Sequence, residues 1–251
     1  MKKLTALTLT ASILASAGLV PTSSFAASNE LPYLNEIKKL QPDVSTEELI
    51  SDIIEVAKNT GNTKEALAEQ IYKELKANHE QGEREATQRN NKDTTNVQYG
   101  ASGGNVKVGN SNMGDFYYTG STTAYMNHGH VGMYYSKDLI VESVPDKGVR
   151  TIATNKRLVD KGDAVVKSVN TSWQNKNDAA WWAKDRVGKD DYSYNFANNR
   201  NTSHYGAKNC SKLIWSAYKL HGGLDLDKDG GAGVYPRDVR DAQKTSLIRN
   251  I

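Results

Sequence analysis

Two apolar runs, His130-Val131-Gly132-Met133-Tyr134-Tyr135 and Leu139-Ile140-Val141-Glu142-Ser143-Val144, are parted only by Ser136-Lys137-Asp138. Three residues are too few for a crossover, so the runs must fold back on each other as an antiparallel hairpin. Further short runs of β-branched and aromatic residues stand on either side, at Phe116-Tyr117-Tyr118, Val149 to Ala153 and Ala164 to Val169. With turn residues between them, they predict an antiparallel sheet. Helical spacing follows. One helix starts at Thr171 or Ser172 and carries Ala179, Ala180, Trp181, Ala183 and Val187. Another runs from Cys210 to His221 with Leu213, Ile214, Trp215 and Ala217, and Gly222-Gly223 ends it. Leu224 to Ile251 reads as mostly loop. Strands grouped together with helices on either side give an α+β fold.

The chain before Met113 has another character. Lys2, Lys3, the apolar stretch from Leu4 to Val20, and the small residues of Ser24-Phe25-Ala26 read as a secretory signal peptide over residues 1–26. The apolar stretch is short for a membrane anchor, and no stop-transfer pattern follows it. No other segment is apolar enough to span a bilayer, so the mature chain is expected to be secreted, extracellular or cell-wall associated, with no integral membrane segment. Residues 27–85 read as helices. Ser45-Thr46-Glu47-Glu48 is a capping box, followed at helical spacing by Leu49, Ile50, Ile53, Ile54 and Ala57, with Gly61 as the stop. Leu67, Ile71, Tyr72 and Leu75 form the stripe of the next helix, and a shorter helix spans about Leu31 to Leu40. The polar stretch from His79 onward predicts a linker at 86–112, and residues 113–251 form the main domain. Ala27 to Lys92 carries a net charge of −4 and Asp93 to Ile251 one of +5. An acidic front of this kind is either a cap or propeptide, cleaved near Arg84, Arg89 or Lys92, or a permanent helical subdomain. The mildly basic body suits an anionic surface such as a cell wall and falls far short of a nucleic-acid footprint.

The chain has one cysteine, Cys210, which rules out an internal disulfide and leaves a packing thiol or a nucleophile. Its neighbours favour the nucleophile. Asn209 is a good helix cap, which puts Cys210 at the first helical position, where free backbone N–H groups and the helix dipole stabilise a thiolate. The same N–H groups can hold an oxyanion, which makes Asn209 and Ser211 candidates beside it.

A cysteine nucleophile needs a base. His79, His204 and His221 lie in a linker, in an Asn-rich stretch and at the far end of the cysteine's own helix. His128 sits in a loop, whereas His130 starts a strand, and a strand positions a base more rigidly. With a three-residue turn, Glu142 pairs with Gly132, so Glu142 and His130 share a face as diagonal neighbours. A carboxylate there can take one imidazole nitrogen and leave the other for the thiol.

Several segments in this order carry a resemblance: Gly114-Asp115, Gly129-His130-Val131-Gly132-Met133-Tyr134, Val141-Glu142-Ser143, Pro145, Gly148-Val149, Asn209-Cys210-Ser211-Lys212-Leu213-Ile214-Trp215 and Tyr235-Pro236-Arg237-Asp238-Val239. Over about Met113 to Val239 the chain resembles the YiiX/YebB-type permuted papain-fold cysteine hydrolases, relatives of the NlpC cell-wall peptidases and of lecithin retinol acyltransferase. In that group the histidine strand comes first and the cysteine helix last, as here. The resemblance implies a permuted papain-like (NlpC-like) fold and a Cys210-His130-Glu142 triad. It further implies cleavage of an amide bond in a peptide or cell-wall fragment through a thioester. NlpC enzymes carry aspartate before the cysteine, where it helps hold a free amino group; this chain has Asn209. They also use a tyrosine beside the oxyanion, for which Tyr194 and Tyr205 are the candidates. Acyl transfer or ester cleavage on a lipid is the alternative on the same scaffold, and an inactive secreted binding protein or toxin is the rival class.

Asp225, Asp227, Asp229 and Gly230 imitate the start of a calcium loop, but the twelfth position counted from Asp225 is Pro236, so a polar turn is expected. Trp173, Trp181, Trp182 and Trp215 read as core, and Asn195, Asn198, Asn199 and Asn201 as a surface loop. No phosphate loop, zinc or dinucleotide motif appears. The expectation is a monomer with no cofactor, no metal and no nucleic-acid partner.

Overall fold

The computed structural model describes residues 31–90, 104–120 and 127–251. Helices α1 (Leu34–Leu40), α2 (Thr46–Thr60) and α3 (Lys64–Asn90) come first. Strands β1 (Val106–Lys107), β2 (Phe116–Thr119), β3 (His130–Ser136), β4 (Leu139–Val144), β5 (Gly148–Ala153), β6 (Leu158–Val159) and β7 (Val165–Val169) follow. Then come α4 (Trp173–Asp185), α5 (Cys210–Leu220), α6 (Pro236–Asp241) and β8 (Thr245–Asn250). Six strands form one antiparallel sheet in the order β5-β4-β3-β2-β7-β8, and β1 pairs with β6 as a separate ribbon. The α+β expectation with an antiparallel sheet holds.

Alternation along the strands puts Phe116, Tyr118, Val131, Met133, Val141 and Val149 on one face, packed with Ala180, Ala183, Leu213, Ile214 and Ala217 of α4 and α5. Tyr117, Tyr134, Ile140 and Val166 pack with Val108 and Val159 of the ribbon's strand ends. Each fully buried aliphatic of this kind contributes about 1.5–3 kcal/mol. Trp182 and Trp215 are core residues as expected, but Trp173 and Trp181 are 71% and 55% exposed.

The register of the β3–β4 hairpin is as the sequence predicts, by another route. The turn is Lys137-Asp138, closed by the Ser136↔Leu139 pair, and a bulge at Tyr135 restores Tyr134↔Ile140 and Met133↔Val141. A two-residue turn plus one bulged residue has the parity of a three-residue turn, so Glu142 still falls opposite Gly132.

Ser45 caps α2 by accepting the Glu48 N–H at 3.0 Å, and Gly61, at φ 72°, ends it in the left-handed region. The structure departs from the sequence reading further on. Helix α3 runs through Ala86 to Asn90, inside the expected linker, and Val106–Lys107 of that linker is strand β1. The rest of the expected linker that is not described is 91–103; the expected signal peptide over 1–26 also lies outside the described residues. The tail expected as loop contains α6 and β8.

The three helices share a core with the main domain. Ile37, Leu49, Ile53, Ile71 and Leu75 pack with Phe196, Ala197, Ala232 and Tyr235. From Glu74 on, Leu75 apart, the docking side of α3 turns polar. Glu74 accepts the backbone N–H groups of Ala232 and Gly233, Asn78 meets His128, Gly82 O accepts from Asn127 Nδ2, and Glu85 pairs with Arg237 and Arg240. The two arginines outweigh the cost of burial and hold the Glu85 carboxyl down at about 2.

Candidate active site

Cys210 opens α5 and is buried. Asn209, extended at φ −81° and ψ 177°, caps the helix: its Oδ1 accepts the Lys212 N–H at 3.0 Å, and its backbone carbonyl takes that of Leu213. The cap therefore uses N–H groups downstream of Cys210 and Ser211. Asn209 is itself held in place, accepting from Asn199 Nδ2 at 3.1 Å and donating to Asn195 O at 3.1 Å. The Ser211 hydroxyl, a candidate from the sequence, is committed to Val234 O at 2.7 Å and to Asn209 Oδ1 at 3.2 Å. The asparagines read as a surface loop thus include three buried ones, Asn195, Asn198 and Asn199, of which Asn195 and Asn199 are bonded to Asn209.

His130 is the first residue of β3, where Thr119 is its strand partner, and it is buried. Its Nε2 stands 3.0 Å from Glu142 Oε2. Its other polar partner is the Cys210 side chain. Glu142 is fully buried and its carboxyl is held well below the usual range. Burial alone would raise it, but the Arg157 guanidinium, then His130 and Tyr117, lower it further than burial lifts it. An ionised carboxylate only accepts, so His130 Nε2 carries the hydrogen and Nδ1 is left to the thiol. Burial pushes the imidazole down, yet the Cys210 sulfur and the bonds to Cys210 and Glu142 outweigh it, and His130 is raised from its ordinary value.

The structure brings these three sequence candidates together and sets around them residues that the sequence reading does not name. Glu142 Oε2 also accepts from Tyr117 Oη at 2.6 Å and faces Arg157 Nε at 3.1 Å; Oε1 accepts from Arg150 Nη2 at 2.6 Å and Nε at 3.0 Å. Arg157 Nε donates to Tyr117 Oη at 2.6 Å. Arg150 was legible in principle, because it pairs with Glu142 across the β4–β5 hairpin. Arg157 was not: it lies in the turn before β6, outside any periodic pattern.

Among the other histidines, His128 is buried against Phe196 and Tyr235, and burial, helped by Arg237, pushes it down to about 3, so it is neutral. His204 bonds Ser216 Oγ at 2.9 Å and stacks on Trp215. Of the two tyrosine candidates, Tyr205 is 56% exposed and lies on Trp182 and Arg186. Tyr194 packs edge-on against Tyr192 at 4.9 Å. At Tyr192, which the sequence analysis does not single out, burial and then the neighbouring Cys210 side chain push the hydroxyl above its ordinary value. Tyr192 sits on a segment fixed at both ends beside the cysteine, by Lys208 N–H to Asp191 O at 3.0 Å and Asn209 Nδ2 to Asn195 O. The first helices brace that segment: Asp52 accepts from Asn195 Nδ2 at 2.7 Å, and Gln41 Oε1 from Phe196 N–H at 2.8 Å.

Comparison with known proteins bears on this arrangement. Residues 110–235 match a family model described as permuted papain-like amidase enzyme, YaeF/YiiX, C92 family. The uncharacterized protein YycO of Bacillus subtilis (strain 168) is 47% identical over 219 residues, covering 87% of this chain and 86% of YycO. Among solved structures, the metalloprotein yiiX from Escherichia coli O157:H7 is similar over 56% of this chain and 97% of its own, at 19% identity and a TM-score of 0.45.

Proposed function

From the premise that the chain belongs to the permuted papain-like amidase family, C92, and is a cysteine-type hydrolase at that level, we propose that Cys210, His130 and Glu142 are its catalytic residues and that it cleaves an amide bond in a peptide or cell-wall fragment. The observation that carries this reading is the placement of His130 between the Cys210 thiol and the ionised Glu142, with Cys210 at a capped helix N-terminus. His130 Nδ1 takes the thiol proton. The thiolate forms a C–S bond to the amide carbon, and the carbonyl oxygen, now an oxyanion, lies by the Cys210 and Ser211 N–H groups. As the C–N bond breaks, His130 returns its proton to the departing amine and leaves a thioester. Water, deprotonated by His130, then cleaves the thioester and frees the acid. Glu142 keeps the imidazole in one tautomer, and Arg150, Arg157 and Tyr117 keep Glu142 ionised and still.

The helices over 31–90 are on this reading a permanent part of the enzyme. Gln41 and Asp52 brace the Tyr192 segment, and the polar side of α3 is spent on fixed partners. The basic, apolar and small-residue pattern of residues 1–26 supports action outside the cytoplasm, in solution or at the wall.

The test is mass spectrometry of wall fragments, peptides and lipids after incubation with wild type and with Cys210→Ala. Amide cleavage that is lost in the variant supports the reading. Hydrolysis or transfer confined to lipid esters would favour the acyltransferase scaffold instead. No turnover, together with slow, His130-independent alkylation of Cys210, would mark an inactive protein.

A further inference from the structure

Away from Cys210, carboxylates converge where α3 meets the loop between α5 and α6. One ligand oxygen from each of Asp227, Asp229 and Asp238 lies within 4.8 Å of the others. Oxygens bound to one Ca²⁺ at about 2.4 Å stand at most about 4.8 Å apart, so this spacing fits a single ion. The Glu74 carboxylate lies alongside, accepting the Ala232 N–H at 2.9 Å and the Gly233 N–H at 3.1 Å. Asp238 is 6% exposed, and its Oδ2 accepts the Tyr235 N–H at 2.8 Å; among the described residues no lysine or arginine pairs with it. The local counter-charge is Arg200, which bonds Asp227 but is shared with Asp225 through contacts of 2.6 and 3.1 Å. Like charges so close, one of them buried and with so little compensation, favour a cation among them.

A second observation does not depend on the acids' own geometry. Tyr235 is 2% exposed, and its hydroxyl has no hydrogen-bond partner among the described residues. The charges acting on it are, in order, those of Glu74, Asp238, Asp229 and Asp227. Its oxygen is turned to the same loop, 3.0 Å from where a Cβ on Gly233 would stand. A buried hydroxyl in that setting can bond a water or ligand that the carboxylates hold.

We propose that the Asp227-to-Asp238 loop binds one calcium ion through Asp227, Asp229 and Asp238, with the Tyr235 hydroxyl bonded to a water on the ion. Counting a twelve-residue calcium loop from Asp225 ends on Pro236, but counting from Asp227 ends on Asp238, which the start of α6 swings into place. The ion ties this loop to the Cys210 helix cap. Val234 O accepts from Ser211 Oγ and Asn199 Nδ2, and Asn199 Nδ2 also donates to Asn209 Oδ1. Only this last link rests on Cys210 being the nucleophile; the binding of the ion does not.

Full-length protein is stripped with chelator and titrated with CaCl₂ by calorimetry, and its melting temperature is followed in parallel, with Cys210→Ala treated identically. We expect one site with a dissociation constant on the order of 10⁻⁴ M and a rise in melting temperature, in both proteins. Asp229 is exposed, so Asp229→Asn removes a ligand without touching the packing and is expected to weaken binding at least about tenfold. Absence of calcium-dependent heat and melting shift in wild type overturns the proposal. So does unchanged affinity in Asp229→Asn, and so does an equal response to MgCl₂.

Discussion

A Cβ placed on Gly132 would stand 2.5 Å from Cε1 of Tyr117, so the tyrosine ring rests on bare glycine backbone, and from there its hydroxyl reaches Glu142. Small size at position 132 makes room for the residue that supports the carboxylate. Gly132→Ala is expected to displace the ring and cost about 1–3 kcal/mol in urea unfolding, as overpacking does. Tyr117→Phe keeps the ring but removes a hydroxyl that donates to Glu142 and accepts from Arg157, two bonds worth about 1 kcal/mol each. A Gly132→Ala protein as stable as wild type would show that the ring's seat on Gly132 does not matter.

Cys210→Ala and His130→Ala are each expected to abolish turnover while leaving the circular dichroism spectrum unchanged. Glu142→Gln differs from a simple loss of orientation. It leaves Arg157, itself 2% exposed at the side chain, facing a neutral amide. Breaking a buried pair in this way costs about 3–5 kcal/mol, so the variant should lose stability along with activity. Near-wild-type rates in His130→Ala, with loss in His128→Ala or His204→Ala, would move the base elsewhere.

The pH dependence has a definite sign. His130 is raised above its ordinary 6.5, so its stabilising contribution is complete below 6.5 and is lost as pH rises through the raised value. The stability gap between wild type and His130→Gln should therefore narrow as pH rises from 6 to 9. Glu85 is lowered from 4.5 to about 2, so its contribution is present above 4.5 and lost as pH falls toward 2. Glu85→Gln should match wild type only at the acid end. Chemical denaturation at a series of pH values reads both.

Asn209 is an amide for a structural reason. Its Nδ2 donates to Asn195 O while its Oδ1 accepts three bonds, from Lys212 N–H, Ser211 Oγ and Asn199 Nδ2. Asn209→Asp keeps the cap but sets an oxygen against the Asn195 carbonyl and a charge in a buried place. A loss of about 1–3 kcal/mol is expected, with the Tyr192 segment loosened in hydrogen exchange. No change in exchange there would separate the cap from the segment.

Cutting the chain at a specific protease site inserted between positions 95 and 96 should leave the two pieces together on size exclusion, with the Cys210 alkylation rate unchanged. Separation of the pieces with faster alkylation would restore the reading of the first helices as a removable cover.

What could be read from the sequence was whatever repeats along it. The hairpin of β3 and β4, the stripes of α2 and the placement of Cys210 behind Asn209 all follow from spacing of 2 or 3.6 residues and a capping residue. The unread parts have no such signal. Past Leu75 the buried side of α3 is built from Asn78, Gly82 and Glu85, which look like linker residues. Helix α6 is six residues long, and β8 at the sheet edge is mostly half-exposed or exposed. Arg157 and Tyr192 reach the site through tertiary folding alone, from a turn and a loop.

The contacts of α3 at Glu74, Asn78, Gly82 and Glu85 follow one another at intervals of four, four and three residues. Each meets a different kind of partner: a pair of backbone N–H groups, an imidazole, an amide and a pair of arginines. Apolar stripes tolerate sliding by a turn, because one leucine can stand in for another. A row in which every position differs has a single in-register fit, and a slip of one turn would mismatch all four at once. Helix α3 thereby sets the alignment of α1 and α2, so that Gln41 and Asp52, far from the row in sequence, arrive at the segment that flanks Cys210.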